Sequence, residues 1–201
     1  MIPTILRIVT ARRLQRPRPM RRLAAAVLCV FALLPAACLA ARAQGIELAG
    51  LRVQREETGL ALDFNVRIQL PKPVDDAVHR GIPLYFVAQA SVYRHRWYWS
   101  DARIARATRS WRLSYQPLTD NWRVTLAGLG QSYATLSEAL AALSSASNWK
   151  ITDAAQMGND EQYYVEFSYQ LDTSQMPRPM QFGIGGQAEW ALGIERTVRV
   201  E

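Results

Sequence analysis

The chain has 201 residues, of which 24 are Lys or Arg, 17 are Asp or Glu, two are His and two are Cys. Eight of the basic residues are arginines in residues 1–43, so residues 44–201 hold 16 basic and 17 acidic groups, a net charge of −1. The overall charge of +7 is therefore no argument for nucleic-acid binding. Both cysteines, Cys29 and Cys38, also lie in residues 1–43, which excludes a disulfide, a thiolate zinc site and a cysteine nucleophile from residues 44–201.

The N-terminal segment has the pattern of a secretory signal peptide. Arg21-Arg22 precedes an apolar run over residues 23–40, and Ala41-Arg42-Ala43 is a small-x-small cleavage site. We predict residues 1–43 as the signal peptide, with 1–19 as an over-extended start or a long n-region. The mature chain would then begin at Gln44, be secreted into the periplasm and contain no stable membrane span.

Two other uses of this segment stay open. An uncleaved N-terminal membrane anchor is possible, because 18 apolar residues approach the roughly 20 that span a bilayer. Lipidation of Cys38 is disfavoured by Pro35, which stands where a lipobox needs another residue. Each of these alternatives places residues 44–201 outside the cytoplasm, because the arginines before the apolar run stay on the cytoplasmic side of the membrane.

Residues 44–201 are predicted to form a single globular domain built mainly of strands. Apolar and polar residues alternate with a period of two, which is typical of antiparallel strands with one buried and one solvated face. Turn residues at Ser100-Asp101, Thr119-Asp120-Asn121 and Gly158-Asn159-Asp160 separate the segments. The predicted strands cover residues 46–53 with a bulge at Ala49-Gly50, 62–70, 105–116, 122–126, 163–171 and 190–200.

Two short helices interrupt the strands. Pro73–Arg80 begins with proline and two aspartates and ends before Gly81. Thr135 and Glu138 form a capping box, followed by an apolar stripe that ends at Leu143. We predict a mainly β fold, an antiparallel sheet or sandwich of about eight strands with two helical crossovers, with α+β as the fallback.

Four segments and one tryptophan make the sequence similar to a known family. They are GIPLYFVAQASVYRHRWYW (81–99), SWRLSYQPLTDNWRV (110–124), TLSEALAAL (135–143), FSYQLDTSQMPRPMQ (167–181) and Trp190. In this order, behind a signal peptide, they resemble the bacterial domain-of-unknown-function family 4390 over nearly all of the mature chain. The resemblance implies an exported envelope protein with no assigned activity, whose gene often lies beside those of a membrane sensor kinase and its response regulator.

The usual catalytic patterns are missing from the sequence. His79 and His95 are the only imidazoles, and their spacing fits no metal motif. Gly130–Ala134 is close to a G-x-S-x-G elbow, but both histidines precede its serine, so we expect a loop that enters the second helix. Gly183–Gly186 lacks the strand and helix of a phosphate cradle, and Pro177-Arg178-Pro179 is expected as an extended peptide or loop. Candidate carboxylates for a hydrolase are Asp63, Asp101, Asp120, Glu166 and Asp172.

Residues 93–112 are the most unusual stretch. They hold six arginines and one acid, Asp101, next to a run of aromatic residues. Arginine beside aromatic rings can bind anionic polymers through ion pairing and stacking. Strand parity places Arg106 and Arg112 on one face and Arg103 and Arg109 on the other, and Trp97 or Trp99 could belong to the core. The predicted binding surface consists of Tyr93, Arg94, Arg96, Trp97, Trp99, Arg106 and Arg112.

Together these features favour an exported, non-enzymatic module of the cell envelope that needs no cofactor. Its expected partner is an envelope protein, with a membrane sensor kinase as one case, and not nucleic acid. A first alternative is recognition of a glycan or an anionic lipid through residues 93–112. A second is an uncharacterised hydrolase that uses a pair of carboxylates.

Overall fold

Strands alternate with two short helices along the chain. The computed structural model describes residues 45–158, 162–176 and 188–200. It includes three 3-10 turns, Ala154–Gln156, Thr173–Gln175 and Ala188–Trp190. In chain order the elements are β1 (Gly45–Glu56), β2 (Gly59–Gln69), α1 (Lys72–His79), β3 (Leu84–Arg94), β4 (Ala102–Gln116), β5 (Asn121–Leu126), β6 (Leu129–Tyr133), α2 (Leu136–Leu143), β7 (Ser145–Asp153), β8 (Tyr163–Leu171) and β9 (Gly193–Arg199).

The strands form two antiparallel sheets. One has three strands in the order β1-β2-β7, and the other has six in the order β6-β5-β4-β3-β8-β9. Helix α1 connects β2 to β3, and α2 connects β6 to β7, so each helix carries the chain from one sheet to the other. The prediction of a mainly β, antiparallel fold with two helical crossovers is confirmed. The residues from Gln44 to Glu201 form one compact unit.

Aromatic side chains fill the space between the two sheets. Phe64 on β2 lies with its ring centre 5.0 Å from Phe167 on β8 and 6.2 Å from Trp111 on β4. Tyr169 is fully buried beside them, and its hydroxyl donates to the Leu143 carbonyl at 3.0 Å. Burial raises the pKa of Tyr169 well above its ordinary value. The sheets are thus packed face to face around one aromatic core, as in a sandwich.

Local sequence signals explain the helix boundaries. Proline stands in the first turn of α1, where a missing N–H costs nothing, and Val74, Ala77 and Val78 turn inward. In α2 the Thr135 hydroxyl accepts from the Glu138 backbone N–H, and the Glu138 carboxylate accepts from the Thr135 backbone N–H. The predicted capping box is therefore present.

Strand registers agree with several of the predicted patterns. The β1–β2 pairing shifts between Leu48 and Gly50, which confirms the predicted bulge. The prediction of a strand from Trp190 is wrong, because Trp190 lies buried in a 3-10 turn and β9 begins at Gly193. Gly130–Tyr133 lies in strand β6 rather than in a loop, so that expectation is wrong too.

Several predicted features fall on residues that the structure does not describe. They are the signal peptide (1–43), Asn159-Asp160 of one turn, the 177–179 peptide and the glycines at 183–186. Among the described residues, the helices are too short or too polar to cross a membrane.

Candidate functional site

The loop that joins β3 to β4, residues 95–101, exposes three consecutive aromatic side chains and is called the tip below. Trp97 is 89% exposed, Tyr98 66% and Trp99 73%. The rings of Trp97 and Tyr98 stand edge to face, 5.3 Å apart at 73°. Large aromatic residues normally gain stability by burial, so three of them in solvent make the tip a candidate contact surface.

Asp101 fixes the shape of the tip. Its Oδ1 accepts the Arg96 backbone N–H at 3.0 Å and lies 3.2 Å from His95 Nδ1. Its Oδ2 accepts the Tyr164 hydroxyl at 3.0 Å. The Arg96 N–H and the Tyr164 hydroxyl, together with His95, hold the pKa of Asp101 below its ordinary value. One carboxylate therefore ties both ends of the loop to strand β8.

The hydrogen bond between Asp101 and Tyr164, called the clamp from here on, lies next to a stacked tyrosine pair. Tyr93 on β3 and Tyr164 on β8 are cross-strand partners whose rings lie 5.2 Å apart and nearly parallel. The His95 backbone N–H donates to the Gln162 carbonyl at 2.9 Å, which extends the pairing one residue past β3. Burial, followed by the hydrogen bond to Asp101, raises the pKa of Tyr164 to about 12. The tip is thus a loop whose two ends are anchored by hydrogen bonds next to the paired strands β3 and β8.

A β-bulge in β4 places Arg103 on the same face of the six-stranded sheet as Arg106. Arg106 pairs with Ser91 and Arg103 pairs with Tyr93, which places both on the outer face of the six-stranded sheet. The register shifts between Val92 and Tyr93, so Arg103 does not have the parity that the sequence predicts, and that assignment is wrong. Arg109 does face inward, with its guanidinium 5.1 Å from the ring centre of Trp149.

The structure brings together most, but not all, of the predicted surface. Tyr93 and Arg94 close β3, Arg96 and the two exposed tryptophans lie in the tip, and Arg106 lies a few residues below on β4. Arg112 pairs with Tyr85, roughly 20 Å further along β4, so it is not part of the tip. Assignment of Trp97 or Trp99 to the core is wrong, because both are exposed.

Sequence reasoning did not include several residues that build the site. The predicted surface leaves out Tyr98, although it belongs to the aromatic run, and it leaves out Asp101, which the sequence offers only as a candidate carboxylate. Tyr164, the hydrogen-bond partner of Asp101 in the clamp, is not singled out by the sequence at all. Beside the clamp lies a groove of about 330 Å³ lined by His95, Gln162, Tyr163, Tyr164, Thr197 and Arg199. The aromatic run and the lone acid of residues 93–112 were the available signals.

The candidate carboxylates mostly shape turns. Asp63 accepts the Asn148 backbone N–H at 2.7 Å, and Asp120 accepts the Tyr115 hydroxyl at 2.8 Å. Asp172 accepts from the Ser174 backbone N–H and hydroxyl, and Glu166 lies on the outer sheet face opposite Ser91. In the described ranges no three His, Cys, Asp or Glu side chains come close enough together to hold a metal ion.

A wider depression lies on the three-stranded sheet. It has a volume of about 460 Å³ and is lined by nine residues between Gly50 of the β1 bulge and Ser147 of β7. Its only acid, Asp63, already accepts the Asn148 N–H, and Arg52 is its cross-strand partner. The depression follows from the bulges on both sides of β2, and it is far less distinctive than the tip.

A family comparison covers almost the whole domain. Residues 43–199 match the family model described as Domain of unknown function (DUF4390). The chain belongs to the DUF4390 family. Comparison with curated proteins and with solved structures found no match. The tip is thus a surface of a DUF4390 domain, and its three exposed aromatic residues lie in the segment 81–99 that carries part of the family resemblance.

Proposed function

We propose that this DUF4390 protein is an exported, non-enzymatic module of the cell envelope that docks onto another envelope component through the tip. The observation that carries the proposal is the exposure of Trp97, Tyr98 and Trp99 on a loop that Asp101 holds in shape. Contiguous apolar surface on a soluble domain typically marks an interaction site. A preordered loop loses little conformational entropy when it binds.

The N-terminal segment and the hydrogen bonds of the aspartate side chains support the rest of this proposal. Residues 1–43 have the pattern of a secretory signal, which directs the domain to the periplasm. Asp63 accepts a hydrogen bond where the β2–β7 register shifts, and Asp101, Asp120 and Asp172 accept hydrogen bonds that shape a loop or turn. Each of these is a structural use of a carboxylate. Docking needs none of them as an acid or base.

Photo-crosslinking from the tip tests the proposal in cells. A photoreactive phenylalanine analogue replaces Tyr98 in the expressed chain, and a matched control replaces Leu118, which is fully exposed in the β4–β5 turn. We expect light-dependent adducts from position 98 and few from position 118. Equal adducts from the two positions, or none from either, would contradict the docking role of the tip.

The identity of the adduct then separates the kinds of partner. Mass spectrometry of adducts from separated envelope fractions distinguishes protein, lipid and glycan. If the adduct is a protein, a membrane sensor kinase is the partner that the family resemblance leads us to expect. If it is a glycan, the groove beside the clamp, which His95 and Arg199 line, is the place to mutate next.

A further inference from the structure

The chemistry of the three exposed rings is that of a membrane interface. Tryptophan and tyrosine have an apolar ring and one polar N–H or O–H group, and they accumulate where a bilayer meets water. In the tip they follow one another directly, and each is 66% exposed or more. Trp97 and Tyr98 meet at 73°, so these two rings do not form one continuous flat surface.

Within residues 93–112, most of the charged side chains at the tip and its base are positive. Arg94, Arg96, Arg103 and Arg106 lie in or just below it, and Asp101 is the only acid among residues 93–112. The Asp101 carboxylate is engaged with the Arg96 N–H, His95 and Tyr164 on the domain side of the loop. Arg103 and Arg106 are exposed and share one sheet face, so the base of the tip presents positive charge.

We propose that the partner of the tip is the anionic surface of a phospholipid bilayer. The rings of Trp97, Tyr98 and Trp99 enter the headgroup region, and the arginines below them face lipid phosphates. This inference rests on the proposed function, since it names the component onto which the tip docks. The arginines give the charge complementarity, and the ring types give the depth of insertion.

The position of the tip in the fold sets the orientation on the membrane. The tip closes β3 and β4 at one end of the six-stranded sheet, and Leu118 lies in the turn at the other end of β4. Strand β4 has 15 residues, so about 45 Å separates the two ends. The strands therefore stand on the bilayer end-on, and only the tip and the arginines at its base, Arg103 and Arg106, reach the lipid headgroups.

Binding to vesicles tests the inference directly. The exported chain, from Gln44, is sedimented with vesicles of phosphatidylcholine alone or of phosphatidylcholine with about 30% phosphatidylglycerol, which supplies anionic headgroups as in a bacterial membrane. Both kinds of vesicle are tested at low and high salt. We expect binding only to the anionic vesicles, and we expect it to weaken with salt. Equal binding to both vesicle types would overturn the role assigned to charge.

Two matched pairs of variants separate the rings from the charges. Replacing Trp97 and Trp99 by alanine removes roughly 100 Å² of inserted apolar surface per ring, so affinity should fall at least 50-fold. The control is Leu118→Ala with Leu129→Ala, which removes two exposed apolar side chains elsewhere and should bind like the parent.

Arg103→Gln with Arg106→Gln should weaken anionic binding about 10- to 25-fold, because each arginine near such a surface contributes about fivefold. Its control, Arg112→Gln with Arg123→Gln, removes the same charge from exposed positions away from the tip. If the control loses as much affinity as the tip pair, the effect is one of net charge and the assigned site is wrong.

A fluorophore reports which end inserts. Both cysteines lie in residues 1–43, so the exported chain can be labelled at a single introduced cysteine. An environment-sensitive dye at Trp97→Cys should shift its emission to the blue on anionic vesicles, and the same dye at Leu118→Cys should not. A shift at position 118 only, or at neither position while the protein sediments, would overturn the end-on arrangement.

Failure of the inference can be told from failure of the proposed function. Protein adducts at position 98, together with no vesicle binding, would overturn the bilayer as partner and leave the docking role standing. No vesicle binding together with no adduct at position 98 would overturn both. The tip side chains are exposed, so all variants should keep the parent circular dichroism spectrum and unfolding midpoint.

Discussion

The Tyr164 hydroxyl donates a hydrogen bond to Asp101 Oδ2 at 3.0 Å, across 63 residues of chain. This contact joins the β3–β4 loop to strand β8, and it explains why a loop with three exposed rings keeps one shape. The two groups titrate in opposite directions: the pKa of Asp101 is lowered from 3.8, and that of Tyr164 is raised to about 12. Each shift favours the protonation state that the bond requires.

The first expected outcome concerns pH. Because the pKa of Asp101 is depressed on folding, its contribution is present above 3.8 and lost as the pH falls through the lower, folded value. Because the pKa of Tyr164 is raised, its contribution is present below 10.0 and lost as the pH rises through about 12. We expect the Tyr164 phenol, followed by NMR, to stay protonated to well above pH 10.0. Deprotonation of Tyr164 at or below pH 10.0 would contradict the clamp.

A second expected outcome is local loosening when the clamp is cut. Asp101→Ala removes the acceptor for the Arg96 N–H and the Tyr164 hydroxyl, so the Arg96 amide should exchange with solvent roughly tenfold faster or more. Asp76→Ala is the control, since it removes the same charge from the exposed face of α1. Unchanged protection of Arg96 in Asp101→Ala, measured by hydrogen exchange, would show that another contact holds the loop.

The third concerns a glycine at the β1–β2 turn. Gly59 has φ +137°, and an added Cβ would collide with the backbone carbonyl of Thr152 on β7. Gly59→Ala should therefore lower the free energy of unfolding by about 2 kcal/mol or more. At Gly50 nothing lies within 4 Å of an added Cβ, and no positive φ is needed. Gly50→Ala should change urea stability by less than about 0.5 kcal/mol, and equal losses at both sites would contradict the steric argument.

Local sequence patterns predicted much of the fold for a clear physical reason. The capping box of Thr135 and Glu138 and the bulge at Ala49-Gly50 depend on residues that are neighbours in the chain. Alternation over the predicted strand 105–116 agrees with the burial of Trp111 and Leu113, because one face of β4 is buried there. Such signals need no knowledge of which strands pair.

The misses involve an exposed edge strand and details of strand pairing that one segment alone does not show. Strand β6 (Leu129–Tyr133) is an edge strand with almost no burial, so it leaves no alternation to detect. A bulge opposite Val92 and Tyr93 turns Arg103 to the face of Arg106, and parity along β4 alone cannot show it. The Asp101–Tyr164 bond joins residues 63 positions apart, so the sequence revealed the aromatic run but not the clamp beneath it.

The fourth expected outcome tests the aromatic core. Phe64 contacts rings on three other strands: Trp111, Trp149, Phe167 and Tyr169. Phe64→Ala leaves a cavity between the sheets and should cost about 3–5 kcal/mol of unfolding free energy. Leu129→Ala, an exposed control, should cost less than about 0.5 kcal/mol. A small loss for Phe64→Ala in urea unfolding would mean that the two sheets stabilise each other little.

The fifth expected outcome concerns fusions at the two ends of the domain. Gly45 lies beside Gly193, and Arg55 at the opposite end of β1 bonds the Gly158 carbonyl next to the tip. The Gly158 N–H in turn donates to the Tyr163 hydroxyl, and the Val200 N–H donates to the Tyr163 carbonyl. The C-terminal strand therefore ends beside the tip, and β1 begins roughly 30 Å or more away from it.

A bulky fusion should accordingly affect docking only at one end. A folded reporter domain joined directly after Glu201 should reduce adducts from position 98 and vesicle binding at least severalfold, because it occupies the space beside the tip. The same reporter joined ahead of Gly45 should leave both unchanged. Cross-linking yield and sedimentation of the two fusions, expressed at equal level, measure the difference. Loss of docking in the N-terminal fusion alone would place the contact surface near Gly45 and Gly193 instead of at Trp97–Trp99.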